Sequence, residues 1–230
     1  MFPRKTSLPQ WIRDYNFFND EENKKLIEEK NSEIERAREI IEESNTILEN
    51  NMKYKSILYT NGDELVTVVF DILEKILRYD FSSFVDEKKE DFLAKLENIT
   101  FVGEIKGVTS NVKNEHISQL DVHYQRYCDK LIEENNKDEE VKALLIINPF
   151  RTKPIIERAE VHEIQVDLAI RNKSLIITTF TLLQVFEKYL KKELSNDRII
   201  EVLQSKIGLL SIDDFFKQPS KNVDNSAYMI

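Results

Sequence analysis

The stretch Phe101-Val102-Gly103-Glu104-Ile105-Lys106-Gly107 decides how this chain is read. Two opposite charges stand one residue apart inside an apolar run that contains and ends in glycine. Side chains of a strand alternate between faces, so Glu104 and Lys106 share one face while Ile105 lies on the other. A charge pair on a central strand has to be internally paired, coordinated to a metal or open to a cleft. The bare E-x-K spacing is common in this chain. It recurs at Glu22/Lys24, Glu28/Lys30, Glu87/Lys89 and Glu140/Lys142, in polar segments expected to be exposed. Only the copy at 104 and 106 sits in an apolar strand.

Working outward, "DFLAKL" (91–96) and "ITFVGEIKG" (99–107) are strand-like and separated by a short turn. "FSSFVD" (81–86) makes a third strand before them, and the short connections favour an antiparallel meander. Upstream, residues 63–77 carry Leu65, Val68, Val69, Ile72, Leu73, Ile76 and Leu77, a helical stripe facing a core. Downstream, a helix is expected over 111–135. Two continuous apolar runs of the kind found in buried strands follow, "ALLIIN" (143–148) and "SLIITT" (174–179). Helices are expected over 155–171, 182–194 and 197–206. The fold class is therefore α/β, a mixed central sheet flanked by helices. The expected division is an N-terminal segment and arm (1–56), a main domain (57–210) and a polar tail (211–230).

The arm is expected to form one helix over 20–56. Ile27, Ile34, Ile41 and Leu48 recur every seven residues, with Lys30, Ala37, Ser44 and Asn51 as the poorer half of the seam. Either a second copy of the chain or its own domain can cover that stripe; a homodimer through residues 20–56 is the partner expectation. Trp11, Tyr15, Phe17 and Phe18 precede it as an aromatic docking cluster.

The formal net charge of −9 argues against a protein that coats nucleic acid through a general positive field. The charge is uneven: residues 21–50 hold 10 acids and 5 bases, whereas 142–193 hold 9 bases and 6 acids. The single cysteine, Cys128, excludes a disulfide framework and fits a reducing, cytoplasmic setting. Nothing in the sequence approaches a membrane-spanning helix, so no membrane partner is expected. Three histidines make a His-based metal site improbable, and His116 and His123, seven apart on one helix face, are read as peripheral.

In a hairpin of the strands at 91–96 and 99–107, Asp91 at the start of one approaches Glu104 near the end of the other. Asp86 and Glu90 are the rival acids. Two carboxylates at one point repel each other and favour a divalent cation, and oxygen-only ligands suit Mg²⁺, with Mn²⁺ able to substitute. Lys106 beside them can position a water or stabilise charge on a phosphoryl oxygen, a set sufficient for phosphodiester hydrolysis.

The order Asp91, then Glu104-Ile105-Lys106 on the next strand, resembles the PD-(D/E)XK nuclease superfamily, the restriction-endonuclease-like fold. "NGDELVTVVFDIL" (61–73) is similar to that family's first core helix, and the resemblance implies a metal-assisting role for Glu64. Gln119 in "ISQLDVHY" resembles the glutamine many members hold near the active site. "LLIINPFR" (144–151) and "SLIITTFTLLQVF" (174–186) resemble segments of bacterial, defence-associated members. The likeness covers roughly 57–194 and lacks the proline of the family name, since Glu90 precedes Asp91. It implies a nuclease, most readily of DNA, with Asp91, Glu104, Lys106 and Gln119 catalytic. Glu64, Asp91, Glu104 and the Ile105 carbonyl would hold the metal. Asn148, Arg151 and Lys153 would lie on substrate phosphate, and a partner protein of a defence system is implied. The alternative is a nuclease-like scaffold or subunit without activity that binds a partner through the arm.

Overall fold

The computed structural model describes residues 9–81, 91–136 and 138–217. Two compact units divide the chain, residues 1–52 and 53–230. In the first, a 3-10 turn (Gln10–Arg13) precedes helix α1 (Asp20–Lys55). The aromatic cluster forms a chain, Trp11 to Tyr15 to Phe17 to Phe18, with successive ring centroids 6.1, 6.0 and 6.3 Å apart. None of the residues of α1 is buried, and Ile27, Ile34, Ile41 and Leu48 are 48–59% exposed.

The second unit is built on a five-stranded sheet in the order β1-β2-β3-β4-β5. Its strands are β1 (Phe92–Lys95), β2 (Thr100–Gly107), β3 (Val141–Asn148), β4 (Leu175–Thr178) and β5 (Gly208–Leu209). β1 runs antiparallel to β2, and the remaining pairs are parallel, so the sheet is mixed as the sequence predicts. Most of the strand expected over 81–86 lies outside the described residues.

Among the described residues five further helices flank the sheet: α2 (Gly62–Leu77), α3 (Asn114–Glu133), α4 (Glu163–Arg171), α5 (Thr179–Leu190) and α6 (Asn196–Ser205). They divide between two apolar layers. On one face Leu65, Val69, Ile72 and Leu73 of α2, with Leu182 and Phe186 of α5 and Ile199 of α6, cover Phe101, Ile105, Leu144, Ile146 and Ile177. On the other, Ile117 and Leu120 of α3 and Ala169 of α4 cover Ala143, Leu145, Ile147 and Ile176. Strands β3 and β4 are covered on both faces, which is why they read as unbroken apolar runs rather than alternating ones.

Three elements differ from expectation. The helix predicted over 155–171 begins at Glu163; before it lies a 3-10 turn, Ile155–Glu157, and an extended stretch. Pro154 fixes the turn, and the Asn111 side chain donates to the Glu160 carbonyl at 2.8 Å, holding that stretch out of helical geometry. Helix α5 starts three residues earlier than predicted because Thr178 caps it, its hydroxyl accepting from the Thr181 N–H at 3.1 Å. Beyond α6 the chain returns as β5 and a 3-10 turn, Ile212–Phe215, and Phe215 is 3% exposed in the core. Lys142, expected on an exposed segment, is 6% exposed at the start of β3, donating to the Lys173 carbonyl at 3.2 Å. Its desolvation pushes the ammonium pKa down to about 8, against an opposing pull from Glu140.

Candidate active site

Glu104 and Lys106 lie on the face of β2 that looks toward α3, opposite to Ile105, as alternation requires. Glu104 is 1% exposed and is held on all sides. Its Oε1 meets the Lys106 ammonium at 2.5 Å and accepts from the Gln119 amide at 2.7 Å. Its Oε2 lies 3.1 Å from Nδ1 of His123. Gln119 and His123 are four residues apart on α3, hence on one side of that helix. The helix itself is positioned by Ile117 and Leu120 on the sheet.

Asp91 reaches the same strand from β1. Phe92 pairs with Gly103, and one more residue along that register sets Asp91 opposite Glu104. The backbone N–H of Asp91 donates to the Gly103 carbonyl at 3.1 Å, and its Oδ2 accepts from the Ile105 N–H at 2.6 Å. Two glycines make this packing possible. A Cβ on Gly103 would stand 1.9 Å from the Phe92 ring, and one on Gly107 would stand 2.7 Å from the Thr60 carbonyl oxygen. The second close approach brings the start of α2 against the end of β2.

Between them lies a cleft of about 420 Å³, lined by Asn61, Asp63, Phe70, Asp91, Ile105 and Lys106 among others. Asp63, not Glu64, is the α2 acid on this cleft; Glu64 is exposed and not among the lining residues. Gly62 at φ +55° begins the helix, and exposed Asp63 follows it at the edge of the cleft. Nearby, His116 is buried and accepts from the Lys113 N–H at 3.2 Å. Burial lowers its pKa, Glu115 opposes, and the Lys113 and Lys106 cations add to the lowering, so the ring is neutral at pH 7.

The other residues read as substrate contacts lie elsewhere. Asn148 is fully buried; its amide donates to the Thr60 carbonyl at 3.3 Å and its Oδ1 accepts from Arg158 at 2.8 Å. It ties the segment before α2 to the end of β3. Arg151 is half-buried in the loop after β3, and exposed Lys153 stands 5.2 Å over the Phe150 ring. None of the three lines the cleft. Sequence reasoning did not single out Asp63 and left His123 at the periphery. The second had a signal, the four-residue step from Gln119. The first depended on the turn before α2.

A divalent cation fits the donor chemistry here. Asp91 and Ile105 share the cleft and Glu104 is set opposite Asp91, so the carboxylates offer hard oxygens, while the Lys106 and His123 nitrogens face Glu104. No group of three or more His, Cys, Asp or Glu side chains suited to a metal occurs among the described residues. Among the described residues no helix is long and apolar enough to cross a membrane.

No protein-family model matches the chain, and no curated protein matches it. Among solved structures it is similar to restriction endonuclease FokI, at 12% identity over 61% of this chain and 27% of that one, with a TM-score of 0.44. It is also similar to FokI bound to DNA, at 17% identity over 65% of this chain and 28% of that one, with a TM-score of 0.42. The chain therefore spans little more than a quarter of that enzyme's length.

Proposed function

We propose that the chain is a metal-dependent nuclease of the PD-(D/E)XK kind, hydrolysing phosphodiesters, with DNA as the favoured substrate. The observation that carries this is the convergence on Glu104: Lys106 at 2.5 Å and Gln119 at 2.7 Å on one carboxylate oxygen, with Asp91 opposite in register. Asp91, Glu104 and the Ile105 carbonyl would hold Mg²⁺ or Mn²⁺, which when bound supplies charge stabilisation and an acidified water. In this reading Asp63, rather than Glu64, is the α2 acid placed to assist. Lys106 orients the attacking water or stabilises charge on a phosphoryl oxygen. Gln119 fixes the Glu104 carboxylate, and His123 supports it from the far oxygen. A role in antiphage or restriction-type defence belongs to this proposal through sequence resemblance alone. The test is incubation of purified protein with plasmid and oligonucleotides in Mg²⁺ and Mn²⁺, beside Lys106→Ala. Metal-dependent cleavage lost in the variant is expected; equal cleavage by both proteins sinks the reading.

The arm is proposed to pair with a second copy. The seven-residue stripe of Ile27, Ile34, Ile41 and Leu48 stands exposed along α1, and a coiled-coil partner removes it from water. Two chains would bring two sites to one duplex. Light scattering on the full chain and on Ile34→Lys/Ile41→Lys distinguishes the cases: a dimer that dissociates in the variant is expected, and a monomeric wild type refutes the pairing. Binding of a defence partner in place of a second copy is then what co-purification examines.

A further inference from the structure

The seven-residue stripe of α1 gives each of its neighbours a place in a heptad. With Ile27, Ile34, Ile41 and Leu48 at position a, the d positions are Lys30, Ala37, Ser44 and Asn51. The flanking g positions are Leu26, Glu33, Ile40 and Ile47, and the e positions are Asn31, Arg38, Asn45 and Met52. Leu26, Ile40, Ile47 and Met52 are as exposed as the stripe itself, so the uncovered apolar face spans g, a and e. A helix that presents such a face and buries none of its residues is covered by another helix. That the other helix is α1 of a second copy rests on the pairing proposed above. The flanking residues decide its direction.

In a parallel, in-register pair each g residue meets the e residue of the partner's following heptad. Glu33 then meets the partner's Arg38, twice by symmetry, and Ile47 meets the partner's Met52. Isoleucine faces isoleucine at a, where β-branched side chains favour two parallel strands, and the Asn51 amides face each other at d. Lys30 is the unfavourable layer, and Glu33 of its own chain already accepts from it at 2.8 Å. Arg38 donates to Glu35 at 2.6 Å, but both side chains are more than half exposed, and such a surface pair contributes too little to hold the guanidinium back. The antiparallel direction reverses these pairings, because g then meets g and e meets e. With Ile34 facing the partner's Ser44, Arg38 stands against the partner's Arg38 and Glu33 against the partner's Ile47. Every isoleucine at a then faces a lysine, alanine, serine or asparagine.

The aromatic chain before α1 is continuous with this surface. The Asp20 carboxylate accepts from the Phe17 N–H at 3.2 Å, and Lys24 donates to the Asn16 side chain at 2.7 Å, so the cluster is tied to the first turns of the helix. Its four rings are 61–103% exposed and present roughly 500 Å² per copy. A stable interface takes about 800 Å² from each partner, so the clusters supply a large share of what the polar half of the seam lacks. Only the parallel direction brings the two clusters together. We propose that α1 pairs with α1 of a second copy in parallel and in register, held by two Glu33–Arg38 contacts between copies and closed at its amino end by the two aromatic clusters. Both copies of the second unit then begin at the same end of the pair, as two clefts acting on one duplex require. In an antiparallel pair of 36-residue helices their starting points lie about 54 Å apart.

Charge reversal, cross-linking and fluorescence on the full chain provide the test. Glu33→Arg and Arg38→Glu are each expected to weaken the dimer about tenfold in sedimentation equilibrium, and the double variant to return to within about threefold of wild type. In a Cys128→Ser background, Ser44→Cys is expected to give a covalent dimer under mild oxidation, because the two d positions face each other. In the antiparallel pair the same two positions lie about 15 Å apart, beyond disulfide reach. Trp11 is the only tryptophan, and its emission is expected to move to shorter wavelength as the dimer forms. A dimer whose Ser44→Cys chain links only to an added Ile34→Cys chain overturns the proposal and leaves the pairing itself standing. So does a dimer that the double reversal fails to restore, or one in which the Trp11 emission stays where it is. A wild type that remains monomeric at all concentrations overturns the pairing and this arrangement together.

Discussion

Replacing Gly103 with alanine tests how the strand bearing Glu104 was made to fit. A Cβ at that position would lie 1.9, 2.0 and 2.5 Å from three carbons of the Phe92 ring. Carbon atoms pack at about 3.5–4.0 Å, so the ring must retreat by about 1.5 Å. It has nowhere to go: Phe92 is fully buried and wedged edge-on against Phe70 and Phe81, at centroid distances of 6.3 and 5.9 Å. Overpacking of a filled core costs roughly 1–3 kcal/mol, and a rigid ring blocked from behind puts Gly103→Ala near about 3 kcal/mol. Phe92→Leu alone costs about 1–2 kcal/mol, less than a truncation to alanine, through lost burial. In the double variant the smaller side chain admits the new methyl, so Gly103→Ala then costs under about 1 kcal/mol and the coupling is about 2 kcal/mol. Urea denaturation of the full chain followed by circular dichroism measures all four corners of that cycle. A Gly103→Ala protein within about 0.5 kcal/mol of wild type, or strictly additive variants, refutes the close packing from which the figure is worked.

Other outcomes follow from single side chains. Because Lys106 neutralises Glu104 at 2.5 Å, a cation must compete with it; Lys106→Met is therefore expected to bind Mn²⁺ at least as tightly as wild type by calorimetry while losing cleavage, and weakened metal binding contradicts this. Asn148→Ala leaves Arg158 Nη1 and the Thr60 carbonyl without their side-chain partner; a stability loss of about 2–4 kcal/mol in denaturant is expected, and a variant of normal stability that only binds nucleic acid less well returns Asn148 to a substrate role. The pKa of Lys142 falls to about 8 in the fold, from the ordinary lysine value of 10.5, so the folded chain holds fewer protons between those limits. Wild-type stability then rises as pH climbs through that window, and is lowest with the ammonium charged at pH 7. Lys142→Met is expected to gain up to about 3 kcal/mol at pH 7 and to flatten the rise, which urea titrations at pH 7 and pH 10 check.

The parts of this fold that were legible in the sequence are those where one physical rule acts alone. Strand β2 announced itself as an apolar run carrying two charges, β3 and β4 as unbroken apolar runs, and α2 by its stripe. Gln119 was placed toward Glu104 by resemblance, and the 2.7 Å contact puts it there. What stayed hidden turns on backbone details with weak local signals. Asp63 and Glu64 are one helical residue apart, and of the two Asp63 lines the cleft. The late start of α4 depends on a hydrogen bond from Asn111, about fifty positions away in the chain. Lys142 looked like any surface lysine in a polar turn because burial at a strand's first residues depends on the neighbouring Lys173 segment, which periodicity does not reach. Strand β5 has two residues, too few to carry a pattern.

A single buried amide links the cleft to a second cavity, lined by Arg158, Thr178 and Leu210 among others. Parallel strands β2, β3 and β4 end along one rim, at Gly107, Asn148 and Thr178. The cleft lies at the first of these ends and the cavity at the last, with Asn148 between. Its amide nitrogen holds the Thr60 carbonyl, just before the α2 turn that forms the cleft wall; its oxygen holds Arg158, which forms the cavity wall. A rim built this way has little freedom to adjust one wall without the other, since a buried, fully engaged amide has no second arrangement of equal energy. That explains why Asn148 is polar inside an otherwise apolar strand without touching either site. Its position at a strand end invites a reading as a ligand contact, and its two hydrogen bonds tie the wall of the cleft to the wall of the cavity.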